Sequence, residues 1–180
     1  MDNTKTIETE RLVLRKFTMD DAEAMYNNWA SDPLTTKHLS WDTYTSVDDA
    51  KETISRWLEG YEEGSYNWVV EIKDNHEIIG SICTVSVSKK NNTATLGYAY
   101  GSKYWNHGYA SEALRGVIEY LIKNQGFYLV EAHHVTKNPA SGRVMQKAGM
   151  KYDATLRSRK LDKDGNRDDL VSYSIIKEEL

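Results

Sequence analysis

The spacing of hydrophobic positions changes along the chain, and each change marks an element. Leu12 and Leu14 alternate with their neighbours, so residues 7–15 predict a first strand. Thr18-Met-Asp-Asp21 offers an N-cap for a helix over residues 20–29, and Ser31-Asp-Pro33 ends it. The stretch to Thr45 has no clean period and predicts a loop or short helical turns. Ser46-Val-Asp-Asp49 then opens a helix over residues 51–62, with Ile54, Trp57, Leu58 and Tyr61 on one stripe. After Gly64 a period of two returns. Trp68, Val70 and Ile72 mark a strand, residues 74–76 a turn, 78–88 a second strand, 89–92 a turn and 93–100 a third, a meander.

From Ala110 the apolar residues fall at Ala110, Ala113, Leu114, Val117, Ile118, Leu121 and Ile122, an amphipathic helix that Gly126 closes. Residues 127–135 are again strand-like. Strand, helix and strand in that order form a βαβ crossover, which makes its two strands parallel. Asn138-Pro139 reads as an N-cap with proline at the first helical position, opening a short helix that Gly149 ends. Residues 152–161 and 168–176 flank the turn Asp162-Lys-Asp-Gly-Asn166 as a closing hairpin. The pattern predicts an α+β fold: one domain over residues 1–180, with a mixed, mostly antiparallel sheet of about seven strands and about four helices.

The loop between the strand at 93–100 and the helix at 110–123 carries the first hint of chemistry. A strand feeding a helix through Gly101 and Gly108 aims backbone N–H groups and the positive end of the helix dipole at one spot, which suits an anion such as a phosphate. The loop is neither G-x-x-x-x-G-K-[ST] nor G-x-G-x-x-G, so the P-loop and dinucleotide fingerprints are absent. Many such loops bind nothing.

Composition narrows the classes. At 180 residues, 39% hydrophobic and 28% charged, the chain reads as an ordinary globular protein. A net charge of −4 argues against a nucleic-acid binder and is compatible with a cationic substrate. The single cysteine, Cys83, excludes an internal disulfide or a multi-cysteine zinc site, and its apolar setting predicts a buried thiol. The first twenty residues lack an apolar core and no run approaches a membrane span, so a cytoplasmic location is expected, with no membrane partner.

Four motifs then acquire meaning together: Glu8-Thr-Glu-Arg-Leu-Val-Leu-Arg15, Tyr104-Trp-Asn-His-Gly-Tyr-Ala-Ser-Glu-Ala113, Asn138-Pro-Ala-Ser141 and Lys147-Ala-Gly-Met150. With the order of elements, they resemble the GCN5-related N-acetyltransferase (GNAT) family over nearly the whole chain, and within it the RimJ/RimL-type branch that acetylates ribosomal-protein N-termini. The family writes its pyrophosphate loop [RQ]-x-x-G-x-[GA], where this chain has Trp105-Asn106-His107-Gly108-Tyr109-Ala110. The tryptophan reads as a branch character, and Gly108 and Ala110 keep the close backbone approach.

The resemblance implies acetyl-CoA as co-substrate and no metal. It implies a splay between the two crossover strands, with the pantetheine arm paired along residues 96–100, so that Leu96, Tyr98 and Tyr100 join residues 105–110 and Asn138 as cofactor contacts. Ser141 stands near the cofactor sulfur by the same resemblance and is the candidate acid. The tyrosine that many members use seven positions after the asparagine is Met145 here. The base is less determined: His134 shares a strand face with Val130 and Ala132 and is the candidate, Glu131 and Glu112 are weaker candidates, and a water relay is the alternative. Trp41, Tyr44 and Tyr173 are candidate walls for the acceptor, between residues 29–44 and the closing hairpin. The expected reaction is direct acetyl transfer to a primary amine, a ribosomal or other protein N-terminus being favoured. A small-molecule amine such as a polyamine or antibiotic, or a non-catalytic acyl-CoA-binding module, are the alternatives, and a homodimer stays open.

Overall fold

In the computed structural model, which describes residues 3–180, the first apolar segment does not run as one strand. It folds back at Thr9 into two short antiparallel strands, β1 (Ile7–Glu8) and β2 (Leu12–Arg15), with Ile7 opposite Leu14. Thr9 N–H donates to Leu12 O at 3.0 Å, and Leu12 N–H donates to Thr9 Oγ1 at 3.1 Å. The turn is also held from a distance. The Glu112 carboxylate accepts from the Thr9 hydroxyl (2.6 Å), Arg11 N–H (2.8 Å) and Arg11 Nε (2.7 Å). A partner a hundred residues away is invisible in local periodicity, which is why one expected strand becomes two.

The first helix is also broken into types. A 3-10 turn (Met19–Asp21) leads into α1 (Ala22–Met25) and then a π-helix (Tyr26–Ala30). Asp21 is buried and accepts from the Arg15 guanidinium twice, both at 2.9 Å, and from Thr18 N–H. There follow α2 (Pro33–Thr36), capped by Asp32, and α3 (Val47–Glu62), opened by the Ser46/Asp49 capping box. The meander is β3 (Asn67–Ile72), β4 (Ile78–Ser88) and β5 (Thr93–Tyr100). Then come α4 (Tyr109–Lys123), β6 (Leu129–Val135), α5 (Pro139–Lys147), β7 (Lys151–Leu161) and β8 (Arg167–Ile176). No helix among the described residues is long and apolar enough to cross a membrane.

The eight strands form one sheet in the order β1-β2-β3-β4-β5-β6-β8-β7, antiparallel everywhere except between β5 and β6. Helices α4 and α5 pack on one face, over a core that includes Leu12, Trp68, Ile82, Leu96, Leu114, Ile118, Leu121 and Val130. The segment from Phe17 through α3 covers the other face over β3 to β5, around Met25, Trp29, Ile54, Val69 and Ala99. On that second face β6, β8 and β7 carry polar side chains instead. Glu131 accepts from Thr95, and Asp153 accepts from Ser172 and Ser174.

The end of β5 is clamped to the π-helix. A Cβ on Gly101 would stand 1.9 Å from Asn28 O, a backbone atom that cannot swing aside. Asn28 Nδ2 in turn donates to Ile78 O at 2.6 Å, tying the segment to β4. Two outcomes are expected. Gly101→Ala lowers unfolding free energy by about 2–3 kcal/mol, the scale of overpacking, measured by urea denaturation. Glu112→Gln costs about 2 kcal/mol, the scale of hydrogen bonds to a charged group, with a defined pH dependence. Burial pushes the Glu112 carboxyl up, but the bonds from Thr9 and Arg11 outweigh it and leave its pKa below the ordinary 4.5. The gap between variant and wild type is therefore full above pH 4.5 and closes as pH falls through the lower folded value, when the wild-type carboxylate protonates.

Candidate active site

The two parallel strands part company midway. Pairing runs from Thr93–Leu129 to Leu96–Ala132 and stops, while β5 continues to Tyr100 and β6 to Val135. The backbone alternation shows what the gap contains. Gly101 N–H donates to Ile79 O, so in the antiparallel β4–β5 ladder the N–H and C=O of Tyr98 and Tyr100 point away from β4, into the splay. Tyr100 O is already capped, by Trp105 Nε1 (2.8 Å) and Thr35 Oγ1 (3.1 Å). Tyr98 presents both backbone groups to the gap, as an edge strand presents them to an incoming chain. Leu96, one step earlier, still pairs with Ala132 at the bottom of the gap.

At the open end lies the loop into α4. Asn106 and Gly108 both have positive φ, +65° and +84°, and Gly108 is the N-cap. Glu112 N–H is the first to bond back, to Gly108 O at 3.1 Å, which leaves the first-turn N–H groups of Tyr109, Ala110 and Ser111 facing outward without intrahelical partners. Arg11 stands over this turn: Nη1 donates to His107 O at 3.0 Å, and its guanidinium carbon lies 4.7 Å from the Tyr109 ring centroid. The His107 and Tyr109 rings stack at 5.7 Å. Trp105 does not aim its indole N–H at this anion site, because it is spent on Tyr100 O. Arg11 supplies a positive charge at the loop, and nothing in the hydrophobic pattern singles it out. Its place in the Glu8–Arg15 motif was the one available signal.

Across the splay, Ser141 sits in the first turn of α5. The Tyr98 hydroxyl donates to Ser141 O at 3.0 Å and lies 2.8 Å from Ser141 Oγ, a bond that spans from β5 to α5. Burial pushes the Tyr98 phenol well above its ordinary value, although the Ser141 bond pulls the other way, so it stays protonated. Beside it the Tyr100 hydroxyl is buried with no partner. Asn138 caps α5, its Oδ1 accepting from Ser141 N–H at 3.4 Å, and Pro139 occupies the first helical position. His134 is on the α5 side of the sheet. Its Nδ1 donates to Val135 O at 2.9 Å, which in the neutral ring leaves Nε2 as the lone-pair nitrogen. A Cβ on Gly142 would come within 2.5 Å of Nε2, and the ring stacks on Tyr173 at 5.9 Å, so His134 is packed between α5 and β8.

The three aromatic acceptor walls do not meet. Trp41 and Tyr44 pack together at 5.1 Å against the α1–α3 core, and Tyr44 OH bonds Thr53 Oγ1 at 2.6 Å. Tyr173 belongs to the opposite core, its hydroxyl accepting from Gln146 Nε2. The segments expected to flank the acceptor do approach one another. Lys163 Nζ lies 3.5 Å from Asp42 Oδ1, and a notch of about 30 Å³ between them is lined by Lys37, His38, Val135, Leu161 and Asp168, among others. Asp168 is buried and paired with Lys137 at 2.6 Å. A far larger cavity, about 980 Å³, is an open trough along β1 and the outer face of α4, touching the anion loop at Gly108 and Ser111. Cys83 lies opposite Gly97 of β5, with burial pushing its thiol up to about 11.

Comparison with known proteins agrees with this geometry. The acetyltransferase (GNAT) domain family matches residues 11–151. The uncharacterized N-acetyltransferase YoaA of Bacillus subtilis (strain 168) is 31% identical over 172 residues, 95% of this chain and 96% of its own length. The crystal structure of a GNAT-family acetyltransferase from Bacillus anthracis superposes with a TM-score of 0.86 at 26% identity, covering 97% and 99% of the two chains. A ribosomal-protein-S5-alanine acetyltransferase from Vibrio fischeri shares the fold with a TM-score of 0.79 at 20% identity, over 97% of each chain. The chain belongs to the GNAT family and is an N-acetyltransferase with acetyl-CoA as its acyl donor.

Proposed function

We propose that the protein acetylates the α-amine of a protein or peptide N-terminus by direct transfer, as a member of the RimJ/RimL-type branch. The observation that carries the cofactor's placement is the alignment of three features. These are the outward N–H groups of Tyr109, Ala110 and Ser111 beside Arg11, the free backbone edge of Tyr98, and the Ser141 hydroxyl on the far side of the gap. A pyrophosphate at the helix N-terminus, an extended amide-bearing arm along Tyr98 and a thioester between Tyr98 and Ser141 fit them in that order. The unpartnered Tyr100 hydroxyl offers that arm one more donor.

Transfer then needs no enzyme nucleophile. The amine attacks the thioester carbonyl, and Ser141, oriented by the Tyr98 phenol, gives a hydrogen bond to the departing sulfur. A terminal α-amine, with an ordinary pKa near 7.7–8.0 against about 10.4 for lysine, is substantially neutral near pH 7, which lowers the demand on the base. The four motifs and the fold shared with the S5-alanine acetyltransferase support the protein acceptor. A small amine is the alternative acceptor, and a panel of amines and peptides scored by CoA release separates the two.

Three results are expected. Acetyl-CoA at a hundred times its Kd raises unfolding free energy by about 2.7 kcal/mol. Gly108→Glu, which sets a carboxylate against the anion site on a backbone at φ +84°, abolishes that stabilisation in a thermal-shift assay. Ser141→Ala lowers kcat about tenfold, less than the roughly 10²–10⁴ of a fully acid-dependent step because a thiolate leaves readily, and keeps the KM for acetyl-CoA.

A further inference from the structure

We propose that His133, set by the Glu131 carboxylate, takes the proton from the acceptor amine as it attacks the thioester. The inference rests on the acetyl-transfer reading above and deepens it by naming the base. Side chains alternate along β6, so Ala132 and His134 face α4 and α5, while Glu131 and His133 face the opposite side of the sheet. The register fixes His133 at a particular height. Ala132 is the last residue of β6 to pair with β5, and His133 is the first beyond it, at the bottom of the gap where an arm entering from α4 would end.

The neighbours on that face are arranged around a carboxylate. Ser86 Oγ donates to Thr95 Oγ1 at 2.9 Å, Thr95 Oγ1 donates to Glu131 Oε1 at 2.7 Å, and the same Oε1 lies 3.7 Å from His133 Nε2. Both side chains keep about 30% exposure, 30% for Glu131 and 27% for His133. Gly97 follows Leu96 on β5 as His133 follows Ala132 on β6, and Val85 Cγ1 takes the space a Cβ on Gly97 would need. His133 Nδ1 is buried and has no partner. In the neutral ring a proton on Nε2 faces Glu131, and Nδ1 then holds the free lone pair, an acceptor that the empty protein leaves unsatisfied. On the other strands of this face, Ser172 lies opposite His133, Asp153 is engaged by Ser172 and Ser174, and the Lys151 ammonium is held by Glu179. The carboxylate within 4 Å of the imidazole is that of Glu131.

The two faces divide the proton traffic. The amine nitrogen forms its bond to the carbonyl carbon from the His133 face, and its proton passes to the imidazole, giving an imidazolium beside Glu131. Collapse breaks the C–S bond, and the thiolate leaves toward Ser141 and Tyr98, taking its proton finally from solvent. His133 returns its proton to water after the product departs. His134, the histidine that alternation with Val130 and Ala132 recommends, is packed under α5 on the cofactor side.

The test uses the best amine of the acceptor panel. His133→Gln is expected to lower kcat by roughly 10²-fold, the scale of general-base catalysis, with acetyl-CoA stabilisation in the thermal-shift assay unchanged. His133→Ala regains turnover with added imidazole, which a structural role would not permit. Glu131→Gln lowers kcat less than His133→Gln, because the imidazole stays in place and loses only the carboxylate beside it. A His133→Gln enzyme within twofold of wild type, still stabilised by acetyl-CoA, overturns the inference. So does joint loss of turnover and acetyl-CoA stabilisation in both His133 variants, which makes the residue structural. A wild-type protein stabilised by acetyl-CoA that acetylates no amine overturns the acetyl-transfer reading itself, and the inference with it.

Discussion

The parting of β5 from β6 after Leu96 and Ala132 is the constraint on which the rest of the site depends. Buried backbone groups are almost always paired, so two neighbouring strands in the middle of a sheet do not separate without something to hold them apart. Here the wedge is made of side chains and a short connection. Tyr98 reaches from β5 to Ser141, Trp105 and Thr35 cap Tyr100 O, and Asn138 N–H returns to Val135 O at 2.8 Å, so that α5 begins within three residues of β6. The first turn of α5 therefore lies across the mouth of the gap. That single arrangement brings a hydroxyl, an unpaired strand edge and a helix N-terminus into one line.

Electrostatics at the open end follow from how Glu112 is used. A carboxylate in the first turn of α4 complements the helix dipole, but unpaired it would repel an anionic ligand bound to the same turn. It is instead turned toward β1 and β2 and engaged by Thr9 and Arg11, while Arg11 also reaches His107 O. One interaction thus folds the β1–β2 turn, fastens it to α4 and places a guanidinium beside the outward N–H groups. A weak candidate for the base becomes a structural anchor, and Arg11, marked in the sequence only by its motif, stands beside the first turn of α4.

How much of this was legible beforehand depends on whether the cause was local. The bounds of β4 and β5 follow from a period of two and from turn residues at 74–76 and 89–92, and α4 follows from its apolar stripe. The parallel crossover follows from strand, helix and strand in order. The break at Thr9 and the π-helix do not, because Glu112 and the clamp between Gly101 and Asn28 act through space. The site divides in the same way. Gly108 and Ser141 are legible as a loop glycine and a motif serine. Trp105, His133 and Tyr173 required the structure, since the direction of an indole, the height of a histidine above the last strand pair and the core that owns a tyrosine are tertiary facts.

The unsatisfied groups give a further reason to treat the splay as the working part. Among the described residues three buried side-chain atoms lack a hydrogen-bond partner: Trp29 Nε1, Tyr100 OH and His133 Nδ1. Tyr100 and His133 stand on the two strands that diverge, on opposite faces, and Trp29 shares a core cluster with Ala99 of β5. A buried polar atom left without a partner costs about 1–3 kcal/mol, so the empty protein concentrates its unmet hydrogen bonds around one short stretch of β5. Ligands that enter the gap and supply those partners recover part of that cost. Binding and transfer then draw on the same feature, because the groups that make the empty splay unfavourable are the ones positioned to grip the cofactor and to take the amine's proton.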